Sequence, residues 1–210
     1  MMSVLLRPPP VALAVQKASL VTSALAVATV KGVLETMQIT LGIKWPNDLV
    51  VDNATDIPGD PGYRKVAGIL TETLIDDGSI SALVVGMGLN TSWGQVPPEL
   101  ELVATSLDLL TRSSVDRPSL ALKILQNFET EYAHLLEPTG SEKLLREVRH
   151  HSSTLGRRVR VHFDNSKETP TLEGHAVDLN GDGQLVVQTD RGDLQTVSVA
   201  DVEHLRLDAR

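Results

Sequence analysis

Two β-rich runs, residues 65–75 and 79–86, are separated only by Asp76-Asp77-Gly78, a tight-turn sequence. That spacing makes them antiparallel neighbours in a hairpin, and it sets the kind of sheet the first half of the chain must build. Residues 3–6 predict a short apolar strand, closed by Arg7 and by three prolines with no N–H to offer a ladder. Residues 43–45 and 49–52 predict strand pieces on either side of Pro46-Asn47-Asp48, and residues 53–63 are loop by composition. Residues 11–37 predict one long helix. In it Leu13, Leu20, Val27 and Leu34 recur every seven residues, and Ala24 and Ala28 share their face. Pro10 stands just ahead of the first turn. The expected fold class is α+β, a mostly antiparallel sheet with helices packed on it.

Three further helices are predicted at residues 98–111, 118–136 and 141–151. The second carries Leu122, Leu125, Phe128, Tyr132 and Leu135 on one face. From Gly156 the texture changes to short strands at 158–163, 172–178, 185–188, 194–199 and 202–207. Glycine-bearing turns such as Asn180-Gly181-Asp182-Gly183 lie between them. Strands this short, this evenly broken by turns, predict a small SH3-like β-barrel. The expected division is therefore 1–155 and 156–210.

A hydrophobic content of 41% supports a real core, but with 3% aromatics that core must be filled by Leu, Val, Ile and Ala. A net charge of -8 argues against nucleic acid as a partner, since phosphate contacts need a concentrated basic face. The absence of cysteine excludes disulfides, thiolate metal sites and a catalytic thiol, and suits a cytoplasmic enzyme. The stretch 11–30 is broken by Gln16, Lys17 and several hydroxyl side chains, so no membrane span is expected. By the same reasoning Asn53-Ala54-Thr55 is a chance sequon.

Three clusters carry the chemistry: Gly42-Ile-Lys-Trp-Pro-Asn-Asp48, Arg64-Lys-Val-Ala-Gly-Ile-Leu70 and Gly86-Met-Gly-Leu-Asn90. Lys65 precedes small residues that let a phosphate approach the backbone, though spacing alone favours a surface lysine flanking a strand. Lys44, Asn47 and Asp48 put a cation, an amide and a carboxylate around a proline-fixed bend. Asp48 there suits Mg²⁺ on phosphate oxygens or a proton from an incoming amine; a plain turn bonded to its own backbone is about as plausible. Gly86 and Gly88 lack the third glycine of a dinucleotide fingerprint. Asn90 offers an amide that can pair with an adenine edge as donor and acceptor together. His150 and His151 are adjacent, point about 100° apart on a helix and make a poor metal pair. No Ser-His-Asp pattern is present.

Together these clusters resemble the catalytic-domain signature of the biotin protein ligases. The resemblance implies that biotin and ATP form biotinyl-5′-adenylate, and that biotin then passes to a lysine in the biotin carboxyl carrier domain of a carboxylase. It implies Lys65 on the biotin carboxylate and the phosphate, with Val66 standing where the family has Leu, and Asp48 beside it as a catalytic group or Mg²⁺ ligand. Lys44, Trp45, Asn47 and Gly68 are implied on the substrate side; Gly86, Gly88 and Asn90 are implied at the nucleotide. No helix-turn-helix precedes the motifs, which resembles the ligase-only branch. The family's Gly/Arg-rich loop is missing ahead of residue 3, so a weakly active or inactive truncated ligase is the competing expectation. A related lipoate or octanoyl transferase is a third.

Overall fold

The structure, a computed structural model, describes residues 1–9, 12–52, 60–163, 171–198 and 200–205. The sequon and most of the 53–63 loop lie outside the described residues. So do the last residues of the strands predicted at 194–199 and 202–207.

The first half builds an antiparallel sheet of five strands: β1 (Met2–Leu6), β2 (Gly42–Lys44), β3 (Asp48–Asp52), β4 (Tyr63–Asp76) and β5 (Ser79–Leu89), in the order β1-β5-β4-β3-β2. The predicted hairpin is there, longer than expected, with Asp77 and Gly78 both at positive φ in its turn. One face of the sheet is covered by α1 (Leu20–Met37), whose Leu20, Val21, Leu25, Val27 and Val33 are fully buried. Helices α3 (Arg117–Leu135) and α4 (Gly140–His150) pack beside it. Gly32 lets α3 approach closely, since a Cβ there would sit 2.8 Å from Ile124 Cγ1. Lys31 ties the three helices, reaching Glu131 at 2.8 Å and Glu147 at 3.0 Å.

Three helical expectations need correction. The helix predicted from residue 11 starts at Leu20; Leu13 is buried from a non-helical approach, and Val15–Lys17 is only a 3₁₀ turn. Periodicity reports which residues go inside, and a core residue need not be helical to do so. The predicted 98–111 helix is broken into a 3₁₀ turn, Pro98–Leu100, and a short α2, Leu107–Thr111. Residues 103–105 between them are drawn out alongside Lys65 of β4: Lys65 N–H donates to Val103 O and Thr105 N–H donates to Lys65 O. They complete the ladder where β5 has ended. On α3 the buried stripe is Leu120, Ile124, Phe128, Glu131 and Leu135, whereas Leu122 and Leu125 face solvent.

The second sheet holds β6 (Arg158–His162), β7 (Thr171–Leu179), β8 (Leu185–Thr189), β9 (Leu194–Val197) and β10 (Asp201–His204), in the order β10-β6-β7-β8-β9. All its pairings are antiparallel, it encloses Val159, Val161, Ala176, Leu185, Val187 and Val202, and it forms an SH3-like β domain. The connection from α4 is not a loose linker. Residues 151–153 add themselves to the edge of the first sheet, where Ile43 N–H donates to His151 O and Ser153 N–H donates to Ile43 O. Gly42 has to be small here, because a Cβ would collide with Ser153 Oγ.

One helix, Val15–Met37, is long and apolar enough to cross a membrane by composition, but most of it is buried inside the fold. A core helix passes that test for the same reason a spanning helix does.

Candidate functional site

The face of the first sheet that α1 leaves uncovered carries the three sequence clusters. In a regular strand Lys65 and Gly68, three residues apart, would point to opposite faces. The β3–β4 ladder shifts register between Leu49 and Val50: Leu49 pairs with Ala67 and Val50 with Lys65, which leaves Val66 as an extra residue. The bulge buries both Val66 and Ala67 and brings Lys65 and Gly68 to the open face together. Asp48 is the cross-strand partner of Gly68. Its Oδ1 lies 2.5 Å from Lys65 Nζ, with the lysine side chain 45% and the aspartate 19% exposed. A Cβ on Gly68 would sit 3.1 Å from Lys65 Nζ and 3.4 Å from Asp48 Oδ1. The missing side chain is what gives the pair its space.

Gly68 pairs with Gly88, and Leu70 with Gly86, so the strands present bare backbone next to the ion pair. Above this floor is an open cavity of about 440 Å³ lined by Ser3, Asn47, Gly68, Leu70, Gly86 and Gly88, within the range of small-ligand sites, about 300–1,000 Å³. A Cβ on Gly88 would meet nothing within 4 Å, so the floor is open there. Asn47 lines the cavity but is also a clasp: its side-chain amide donates to Ile69 O at 2.8 Å and its carbonyl accepts from Ile69 N–H at 2.9 Å.

Asn90 follows the last residue of β5. Its N–H donates to Val66 O, and its side-chain Nδ2 donates to Thr105 O at 3.0 Å and approaches Lys65 O at 3.5 Å. The two-way amide pairing expected from the sequence is therefore half used. The donor side is bonded to the protein, and among the described residues no donor reaches Oδ1. The side chain presents a hydrogen-bond acceptor, suited to an exocyclic amino group.

The structure brings Asp48, Lys65, Asn47, Gly68, Gly86 and Gly88 together, with Asn90 at their border. It does not bring Lys44 and Trp45 to the cavity. Lys44 is 4% exposed, with Nζ 5.6 Å from the centre of the Tyr63 ring. Burial pulls its ammonium below the usual lysine range, against the nearby carboxylates of Asp48 and Asp201. Trp45 is buried, its backbone N–H donates to Thr154 Oγ1 at 3.0 Å, and its indole N–H donates to Gly183 O at 3.0 Å. The Trp45–Pro46 peptide bond is cis. Both residues correct the expectation of direct substrate contact: the second sheet has packed over them.

Sequence reading gave no role to Tyr63, Thr154 or His204, which surround this covered end. The rings of Tyr63 and His204 meet edge-on at 5.2 Å, and His204 Nε2 is 3.2 Å from Thr154 Oγ1. Burial first, then the Asp48 and Asp201 charges, pushes the Tyr63 phenol up to about 12. Burial, reinforced by Lys44 and Arg157, pushes His204 down to about 3. Nothing in the sequence links positions 63, 154 and 204. Among the described residues no three His, Cys, Asp or Glu side chains gather to hold a metal. Asp48 is a single carboxylate beside a cation, which fits an ion that arrives on phosphate oxygens and not a resident protein cage.

Residues 1–90 match the biotin/lipoate A/B protein ligase family and residues 154–205 match the biotin protein ligase C terminal domain. The bifunctional ligase/repressor BirA of Bacillus subtilis is 30% identical over 205 residues, which is 96% of this chain and 57% of that protein. The biotin--[acetyl-CoA-carboxylase] ligase of Mycobacterium tuberculosis is 32% identical over 166 residues, 79% of this chain and 53% of that protein. The chain thus spans a little over half the length of these relatives. Among solved structures, biotin protein ligase from Aquifex aeolicus superimposes with a TM-score of 0.78 at 21% identity, covering 97% of this chain and 81% of that one. The same enzyme in complex with biotin and ATP gives 0.76, covering 97% and 77%. With both domain types in order, this chain belongs to the biotin protein ligase family.

Proposed function

We propose that the chain joins biotin to a carrier protein at the expense of ATP. The observation that carries this reading is the Lys65–Asp48 pair set beside a glycine floor, a cation with room for two ligands. The biotin carboxylate attacks the α-phosphorus of ATP, the bond to the β-phosphate oxygen breaks, and pyrophosphate leaves. Charge grows on the α-phosphoryl oxygens during this step, and Lys65, already placed and only partly hydrated, stabilises it there. In the second step a lysine amine of the carrier attacks the acyl carbon and AMP leaves with its phosphate oxygen. Asp48 stands where it takes the proton that the amine sheds, released from Lys65 as that lysine follows the phosphate.

Gly68, Gly86 and Gly88 let the flat ends of biotin and the adenylate lie against backbone. Asn47 lines the cavity, and Asn90 accepts a hydrogen bond from the adenine amino group. Asp48 is the carboxylate that would hold a magnesium ion carried on the nucleotide's phosphates, where the ion would offset phosphate charge. Lys44 and Trp45 act from behind, holding the turn. The acceptor is the biotin carrier domain of a carboxylase, in the cytoplasm, and the chain divides into a catalytic unit, 1–155, and an SH3-like unit, 156–210.

The test is biotin-dependent release of pyrophosphate from ATP, followed by mass gain on a carrier domain, with lipoate and octanoate run in parallel. Release that depends on lipoate or octanoate and not on biotin would overturn the substrate; no release with any of the three would overturn the reaction.

A further inference from the structure

Thr154 lies just ahead of β6 and His204 closes β10, and the two meet beside the turn that leads into Asp48. We infer that Thr154 and His204 are positioning residues, through which the SH3-like domain sets the 44–48 turn and so the Asp48 carboxylate opposite Lys65. The inference rests on the reading above for its catalytic consequence, but its geometry stands without it.

Trp45 N–H is buried and donates to the Thr154 hydroxyl, which has His204 Nε2 as its other neighbour at 3.2 Å. His204 is 6% exposed and braces Tyr63 edge-on, and Tyr63 lies two residues ahead of Lys65 on β4. One hydroxyl and one imidazole therefore touch both strands of the ion pair, β3 through its preceding turn and β4 through Tyr63. A second tie, Trp45 Nε1 to Gly183 O, fixes the same turn from the β7–β8 connection. Thr154 is wholly buried, so an N–H left facing it without an acceptor has no water to turn to. Among the described residues no hydrogen-bond partner reaches the buried His204 Nδ1. The position needs a hydroxyl. The requirement comes from the Trp45 amide.

The decisive comparison is the full chain with Thr154→Val, which keeps the shape and removes the acceptor, and Thr154→Ser, which restores it. His204→Phe repeats it from the other end, keeping a ring against Tyr63 without a nitrogen, and covers the case in which Thr154→Val does not fold. Two readouts are taken. One is the rate at which acetic anhydride labels Lys65, followed by mass spectrometry with the exposed Lys143 as internal reference. The other is kcat and KM for biotin-dependent pyrophosphate release. Loosening the turn frees Lys65 from Asp48, so we expect labelling about fivefold faster in Thr154→Val and His204→Phe, and near the parent rate in Thr154→Ser. The expected kinetic effect is a kcat lower by about tenfold, in line with the cost of a misplaced reacting group, with KM for biotin within about twofold. Parent-like labelling in both Thr154→Val and His204→Phe overturns the inference, whether or not the chain turns over biotin. An unchanged kcat alongside faster labelling overturns the positioning role. If the parent chain releases no pyrophosphate with biotin, the biotin reading falls, and labelling alone decides whether the domain sets the turn.

Discussion

Arg64 and Lys65 are neighbours on β4, each bonded to an aspartate, and they meet opposite fates. Arg64 points to the buried side. Its guanidinium grips Asp60 at 2.8 and 3.2 Å and donates through Nε to Glu101 O, with 6% of the arginine and none of the aspartate side chain exposed. Lys65, one residue on, points to the open face and meets Asp48 with nearly half its side chain in solvent. The difference follows from strand alternation. It teaches that an ion pair's place in the fold, more than its composition, decides whether it holds the structure or is held ready. A fork locked on both oxygens is spent; a single ammonium beside bare glycine backbone can change partners.

The sharpest way to break that contrast is to remove each cation. Arg64→Ala takes the guanidinium away from the buried Asp60 carboxylate, and chemical denaturation should show a loss of about 3–5 kcal/mol. Lys65→Ala should lose less than about 1 kcal/mol, the worth of a half-exposed pair. In compensation it should slow biotin-dependent pyrophosphate release by about 10²–10³-fold. Comparable stability losses in the two variants would erase the distinction. Asn90→Ala should weaken ATP binding by about 1–3 kcal/mol, the cost of an unpaired polar edge, while calorimetry finds biotin binding to the free protein unchanged. A large loss of biotin affinity instead would move Asn90 into the other half of the site.

The smallest effect is read from pH. His204 has a pKa of about 3 in the fold, against 6.5 for an ordinary histidine. Between those values the unfolded chain takes up a proton that the folded chain refuses. Its neutral state thus supports the fold fully above about pH 6.5, and that support is lost as pH falls towards 3. The melting temperature of the parent should therefore fall more steeply between pH 6.5 and 4.5 than that of His204→Phe, in which the carboxylates are the same. Parallel slopes would mean that His204 is more solvated than its packing shows.

Much of this was legible in the chain. The Asp77-Gly78 turn required antiparallel neighbours, and the short strands after Gly156 required a small β unit. The spacing of Leu and Ala picked out the core of α1 at Leu20, Ala24, Val27 and Ala28, although it misplaced the helix start and Leu34 is exposed. The three motif clusters named Lys65, Asp48 and Gly68 through their resemblance to the biotin protein ligases, which a short run of residues is enough to carry. Other features were not local. The 98–111 segment looked helical, but a missing ladder partner at Lys65 drew Ala104 into an isolated bridge, and a tertiary hydrogen-bond demand outweighed propensity. Lys44 and Trp45 lie within a motif as informative as that of Lys65, yet they are covered by a domain more than a hundred residues away.

The sequence by itself determined most of the classes of element and the antiparallel pairing, because turn chemistry and side-chain alternation act over a few residues. Only the tertiary structure decided that Val66 bulges so that Lys65 and Gly68 share a face. It alone decided that Asn90 keeps only its acceptor, and that Thr154 and His204 close on Trp45. Each of these depends on which backbone groups find partners across the fold, and a buried N–H or C=O must be satisfied wherever in the chain its partner comes from.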